Sequence, residues 1–207
     1  MLEIKSLIHT YGDTRLKYPD WEVAKGDHSL ILGNSGCGKT TLLHLIGGLM
    51  KPSEGSILIN NEDLVSKNGR SLDHFRGAHV GIIFQRPHLV RSLTVKENLA
   101  LAQWLAKQKV DHNRIASVLE QLGILQLKNR KAHQLSQGQS QRVSIARAII
   151  NNPLLLLADE PTASLDDENC MKVVALLKEQ AESTASTLVI ATHDQRVKSE
   201  FENKLAL

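Results

Sequence analysis

The sequence predicts an α/β fold, with a parallel-sheet core around a phosphate-binding loop, an antiparallel β subdomain at the N-terminus and an inserted α-helical subdomain. Three observations predict it. Short apolar runs (HSLILG, VGIIF, LLLLA and TLVIAT) are separated by helix-like segments, the pattern of a buried parallel sheet. The first of these runs leads into GNSGCGKT at 33–40, followed at once by the helical TTLLHLIGGLM. From about 88 to 135 the chain changes character and shows helical periodicity only.

Taken in order, LEIKSLI, WEVAKG with its turn at Gly26, and HSLILG read as strands. GSILINNED at 55–63 alternates in the same way and is expected to pair with the N-terminal strands. TTLLHLIGGLM is expected to stay helical until Pro52 stops it, and VGIIF at 80–84 reads as a short buried strand. TVKENLALAQWLAKQ at 94–108 is a helix with Thr94 as N-cap and Glu97 three residues on. Asp111 caps a second helix whose Ile115, Val118, Leu119 and Leu122 share one face, with Gly123 as its stop. A helix from about 137, the strand LLLLA at 154–158, a helix over 167–182, the strand TLVIAT and a short tail complete the chain.

Composition excludes several classes. With 207 residues, 42% of them hydrophobic and 23% charged, the chain resembles an ordinary globular domain with a substantial core. A net charge of +3 and the lack of a long basic run give no reason to expect nucleic acid, and KNRK at 128–131 reads as a solvated turn. Cys37 and Cys170 are far apart and lack metal-ligand spacing, which suits a reduced compartment. No apolar run approaches the roughly 18 residues of a membrane helix, and MLEIKSLIHTYG lacks the charged start and cleavage site of a signal peptide.

The chemistry begins at 33–40, which fits G-x-x-x-x-G-K-[ST] between a strand and a helix. The stretch Gly33, Asn34, Ser35, Gly36, Cys37, Gly38, Lys39, Thr40 and Thr41 is expected to wrap a nucleotide's phosphates. Backbone N–H groups and the helix dipole face the oxygens, Lys39 supplies a point charge, and the Thr40 hydroxyl is a Mg²⁺ ligand. Cys37 contributes a backbone amide, and its thiol would make the loop sensitive to oxidation. At the end of LLLLADE, Asp159 is the natural metal partner and Glu160 the group that orients an attacking water. The plainer reading of this pair is a solvated acidic strand end. Gln85 and His193 also follow buried strands, Gln85 within reach of a metal or water and His193 of the γ-phosphate; taken singly, each is as readily structural.

Further on, LSQGQSQR at 135–142 opens a helix. Ser136 and Gln139 form a capping-box pattern there, whose first reading is stability alone. Together these residues resemble the ATP-binding subunits of ABC transporters over nearly the whole chain. GNSGCGKT resembles the Walker A motif, Gln85 the Q-loop, LSQGQ the signature motif, LLLLADE the Walker B motif, SLD at 164–166 the D-loop and His193 the switch histidine. Tyr11 sits where the family places an aromatic that stacks on adenine. TTLLHLIGGL and NNPLLLLADEPTASLD look most like the lipoprotein-release and macrolide-exporter branch.

The resemblance implies a P-loop NTPase core from 1–87 and 143–207, including the β subdomain, and a helical signature subdomain at about 88–142, all in one domain. It implies ATP and Mg²⁺ as cofactors, with Thr40, Asp159 and Gln85 at the metal. Catalysis falls to Lys39, Glu160, Gln85 and His193. It also implies a head-to-tail dimer in which Ser136, Gly138 and Gln139 of one copy complete the other's ATP site. A membrane permease, docking against residues 85–105, would hold the subunit in the cytoplasm at the inner face of the plasma membrane. No C-terminal regulatory domain is expected after the tail. One departure stands out: the family usually has Gly at the third signature position, and this chain has Gln137. The rival reading is a soluble ATPase of the same superfamily, in DNA repair or translation. The chain has neither the heptad runs of the first nor the tandem cassettes usual in the second.

Overall fold

The computed structural model describes residues 2–163 and 165–207. Strands β1 (Leu2–Tyr11), β2 (Thr14–Lys17) and β3 (Trp21–Val23) are followed by β4 (His28–Leu32) and helix α1 (Lys39–Ile46). Then come β5 (Glu54–Ile59), β6 (Glu62–Asp63), α2 (Gly69–His79) and β7 (Val80–Ile83). Next are α3 (Val95–Leu105), α4 (His112–Gln121) and α5 (Gln137–Ile149), with short 3₁₀ turns before α5. The chain closes with β8 (Leu155–Asp159), α6 (Asp167–Ser183), β9 (Thr187–Thr192), a 3₁₀ turn at Gln195–Glu200 and β10 (Asn203–Ala206).

Two sheets result. β1 pairs antiparallel with β2, β3 and β5, and β5 with β6, so the alternating segment at 55–63 joins the N-terminal strands as expected. The second sheet runs β10-β4-β9-β8-β7, with every neighbouring pair parallel. Strands β4, β7, β8 and β9 read as mostly apolar runs because both faces are covered. Leu30, Leu156, Leu188 and Ile190 point into one core with α3, α4, α5 and α6. Ile31, Leu155, Leu157 and Val189 point into another, with α1 and the antiparallel sheet. Period-2 alternation thus feeds two cores from one set of strands.

The helix starts follow their caps. Thr94 and Glu97 form a complete capping box at α3, and the Asp111 side chain accepts from the N–H groups of Asn113 and Arg114 at α4. The end of α1 departs from expectation. It closes at Ile46 rather than running to Pro52, because Gly47 caps it and Gly48 takes a left-handed conformation (φ 65°) that turns the chain away. Three further elements are absent from the sequence reading. β2 has no buried residue, and α2 buries only Phe75 behind its Asn68 cap, so neither shows an apolar stripe. β10, within the tail, is a strand only because it pairs with β4, far upstream.

Candidate active site

The C-terminal ends of β4, β7, β8 and β9 lie along one edge of the parallel sheet, where such sheets hold ligands. A cleft of about 550 Å³ opens there. Its floor is the loop after β4, lined by Ser35, Gly36, Gly38, Lys39, Thr40 and Thr41. Gly38 has φ 101°, and a Cβ there would come 3.0 Å from the Tyr18 hydroxyl, so a side chain would be both strained and crowded. Tyr18 is buried and donates to the Gly38 carbonyl at 3.1 Å. Burial pushes its phenol up to about 12, so it remains a donor across the neutral range. No side chain caps α1 and no carboxylate lies in its first turn. Its positive end therefore faces the cleft unopposed.

Lys39 is 6% exposed, and its ammonium donates to the carbonyls of Gly33 (2.9 Å) and Asn34 (3.0 Å). It also stands 3.6 Å from Glu160 Oε1. Gly33 and Asn34 therefore serve the site through their backbone, and the Cys37 sulfur occupies the space that a side chain at Gly33 would need. Across the cleft, the Thr40 hydroxyl donates to Asp159 Oδ1 at 3.1 Å. Burial pushes the Asp159 carboxyl above its ordinary range, against the Thr40 hydrogen bond and the nearby His44 and Lys39.

Neighbouring strand residues point to opposite faces, so Asp159 and Glu160 share the site only if the chain turns between them. It does. Glu160 is left-handed (φ 45°), a conformation that costs a non-glycine residue about 1–3 kcal/mol. The Ala191 carbonyl accepts its N–H at 2.8 Å. The Glu160 carboxylate accepts from the Thr192 hydroxyl (2.8 Å) and the His193 N–H (3.4 Å), and lies 2.8 Å from His193 Nδ1. Gln85, past β7, is exposed and lines the same cleft. Tyr11 stands at its rim, 78% exposed.

Ser136, Gly138 and Gln139 are elsewhere. The capping box is present: Ser136 Oγ accepts from the Gln139 N–H (3.3 Å), and Gln139 Oε1 from the Ser136 N–H (3.0 Å). None of these residues lines the cleft. The proposed D-loop is described only at Leu165 and Asp166, since Ser164 lies outside the described residues. Sequence reasoning missed His9, Thr14, Leu16 and Met50 in the lining, and Tyr18 beneath the loop. No motif marks them, because they reach the site from β1, from β2 and the residue after it, and from the turn after α1.

Among known proteins, residues 16–163 match the family described as ABC transporter. The chain belongs to this family. It is an ATP-binding, ATP-hydrolysing subunit of the ABC type. The lipoprotein-releasing system ATP-binding protein LolD of Legionella pneumophila (strain Lens) is 39% identical over 194 residues, 93% of this chain and 86% of LolD. The ABC transporter ATP-binding protein YtrE of Bacillus subtilis (strain 168) is 42% identical over 197 residues, covering 93% of this chain and 84% of YtrE. In structure the chain is similar to a dimeric bacterial ABC transporter cassette, MJ0796, with TM-score 0.89 and 34% identity over 100% of this chain and 94% of that one. A dimeric post-hydrolysis state of the same cassette, bound to ADP and phosphate, superimposes equally well.

Proposed function

We propose that the cleft binds Mg-ATP and hydrolyses it once a second copy of the chain closes over it, and that this cycle drives a membrane permease. The observation that carries the reading is the convergence of Lys39, the Thr40–Asp159 pair and the Glu160–His193 pair on one cleft at the sheet edge. Tyr11 stacks on the adenine, and the N–H groups of the 33–41 loop and Lys39 hold the phosphates. Glu160, fixed by Thr192 and His193, accepts a hydrogen bond from the attacking water. His193 and Lys39 face the charge that develops on the γ-phosphoryl group as its bond to ADP breaks.

The residues fit a magnesium ion. Thr40 and the buried Asp159 carboxylate supply hard oxygen donors, Gln85 adds an amide oxygen at the rim, and a cation would offset the burial of Asp159. Among the described residues no cluster of three or more His, Cys, Asp or Glu forms a metal cage. That suits an ion held largely by phosphates and water. Bound there, it would neutralise charge on the β- and γ-phosphate oxygens.

In the closed dimer, Ser136, Gly138 and Gln139 of one copy meet the nucleotide in the cleft of the other, and the 88–142 segment moves as the unit that carries them. The permease docks in a second groove of about 560 Å³, lined by Leu49, Phe84, Val90, Leu101 and Leu105, where the expected contact segment at 85–105 lies. Among the described residues no helix is long and apolar enough to cross a membrane. We therefore assign membrane attachment to the permease, at the inner face of the plasma membrane, and take the permease to be of the lipoprotein-release type. The decisive experiment is ATP turnover by Glu160→Gln. The variant is expected to bind ATP and dimerise while kcat falls by about 100-fold or more. An undiminished rate would remove Glu160 from its role.

A further inference from the structure

Arg196, in the 3₁₀ turn after His193, belongs to none of the motifs above, yet its guanidinium joins the strand end at Asp194 to residues 165–167. One edge grips Asp194: Nε donates to Oδ1 at 2.9 Å and Nη2 to Oδ2 at 2.7 Å. The remaining nitrogen, Nη1, donates to the Leu165 carbonyl at 3.1 Å and to Asp167 Oδ1 at 2.6 Å. Asp194 in turn accepts from the Thr162 hydroxyl at 3.1 Å, just past Glu160, and from the Cys170 thiol at 3.5 Å on α6.

These contacts connect to the reacting end of the site. The Asp194 N–H donates to Thr192 Oγ1 at 3.0 Å, and that hydroxyl donates to Glu160 Oε2 at 2.8 Å. A continuous hydrogen-bonded path therefore runs from residues 165–167 through Arg196, Asp194 and Thr192 to the Glu160 carboxylate. Stability alone is a weak reason for its outer link, because Asp167 is 89% exposed and an exposed ion pair contributes at most about 1 kcal/mol. The path also needs a planar fork. Lysine restores the charge but cannot grip Asp194 with two nitrogens while a third reaches Leu165.

We propose that Arg196 is a positioning residue for hydrolysis, locking residues 165–167 against the His193 strand end and thereby setting the Glu160 carboxylate. The inference rests on the reading of Glu160 as the group that orients water. Arg196 and its partners lie outside the cleft lining, so nucleotide binding should be spared.

The test compares Arg196→Ala, Arg196→Lys and Asp167→Asn in the full chain, reading kcat, KM for ATP, affinity for a non-hydrolysable ATP analogue, and Tm. Arg196→Ala is expected to lower kcat about tenfold while KM and analogue affinity stay within about twofold. Arg196→Lys should recover Tm without recovering kcat. Asp167→Asn, which leaves the Asp194 grip intact, should lose about threefold in kcat at unchanged Tm. A folded Arg196→Ala protein at full rate overturns the proposal, and so does an Arg196→Lys variant that regains rate and Tm together. If Arg196→Ala does not fold, Asp167→Asn decides, and an unchanged kcat overturns the proposal. Glu160→Gln run alongside separates the two readings: if it is inactive while the Arg196 variants are normal, only this inference fails. If it is active, the assignment beneath fails as well.

Discussion

The two stretches expected to meet phosphate, the loop before α1 and the start of α5, differ in how much of a site each builds alone. At the loop before α1, the chain supplies everything around the expected phosphates: an uncapped helix start, a buried lysine, a carboxylate–hydroxyl pair and the Glu160–His193 pair. At the start of α5, the helix is already capped by its own Ser136–Gln139 box, and a Cβ on Gly138 would meet nothing within 4 Å. One region is a pocket that works by enclosure. The other is an exposed surface whose lack of a side chain has no explanation inside the chain. Under the proposed dimer, the open space at Gly138 becomes as specific a feature as the enclosure around the loop before α1.

Apart from the loss at Glu160, the sharpest way to break this contrast is Gly138→Ala. Because nothing surrounds that position and alanine is the better helix former, the substitution should leave the monomer as stable or raise it by about 0.5 kcal/mol. ATP turnover should nonetheless fall about tenfold as the new methyl meets the partner's nucleotide, measured as ATPase rate against protein concentration. A variant with full turnover would make the open space at Gly138 incidental.

Asp194→Asn probes, through pH, the hydrogen-bonded path that lies outside the cleft lining and ends at Glu160. Arg196 holds the Asp194 carboxyl far below the usual carboxylate range, ahead of the opposing effect of burial and helped by the Thr162 hydroxyl. A depressed carboxyl contributes stability that is present above the unfolded value near 3.8 and is lost as pH falls below it. Wild-type Tm should therefore drop on acidification through that region, and the asparagine variant should show a shallower drop from a lower neutral starting point. Parallel Tm curves would show that the ion pair is worth little.

The smallest effect is expected at Gln137→Gly. Gln137 keeps its backbone amide at the helix start, so the dipole and the capping box survive in either form. A change of about two- to threefold in ATPase rate and in ATP-driven dimerisation is the expected scale, since only one exposed side chain is removed. No change in either would make the departure from the family's usual glycine neutral.

Much of the fold was legible from residue order. The four buried strands showed as mostly apolar runs because a sheet covered on both faces has no polar side to display. The α3, α4 and α5 starts showed as Thr94, Asp111 and Ser136 because caps are local hydrogen bonds. What stayed hidden was non-local or weakly patterned. β2 and α2 bury almost nothing, and β10 exists only through β4. Met50 and His9 in the cleft, and Tyr18 beneath its loop, carry no spacing that marks them, since they come together from separate segments of the chain.

The sequence by itself determined the family and the phosphate-binding chemistry, because both reside in contiguous motifs whose function is set by backbone geometry at a helix start. Tertiary structure alone decided that Glu160 turns into the site through a left-handed residue, and that Arg196 ties the segment past Glu160 to the strand end at His193. It also decided that the start of α5 stands outside the cleft lining. Each of those facts depends on the relative placement of strand ends and loops far apart in the chain, and only the packed sheet fixes that placement.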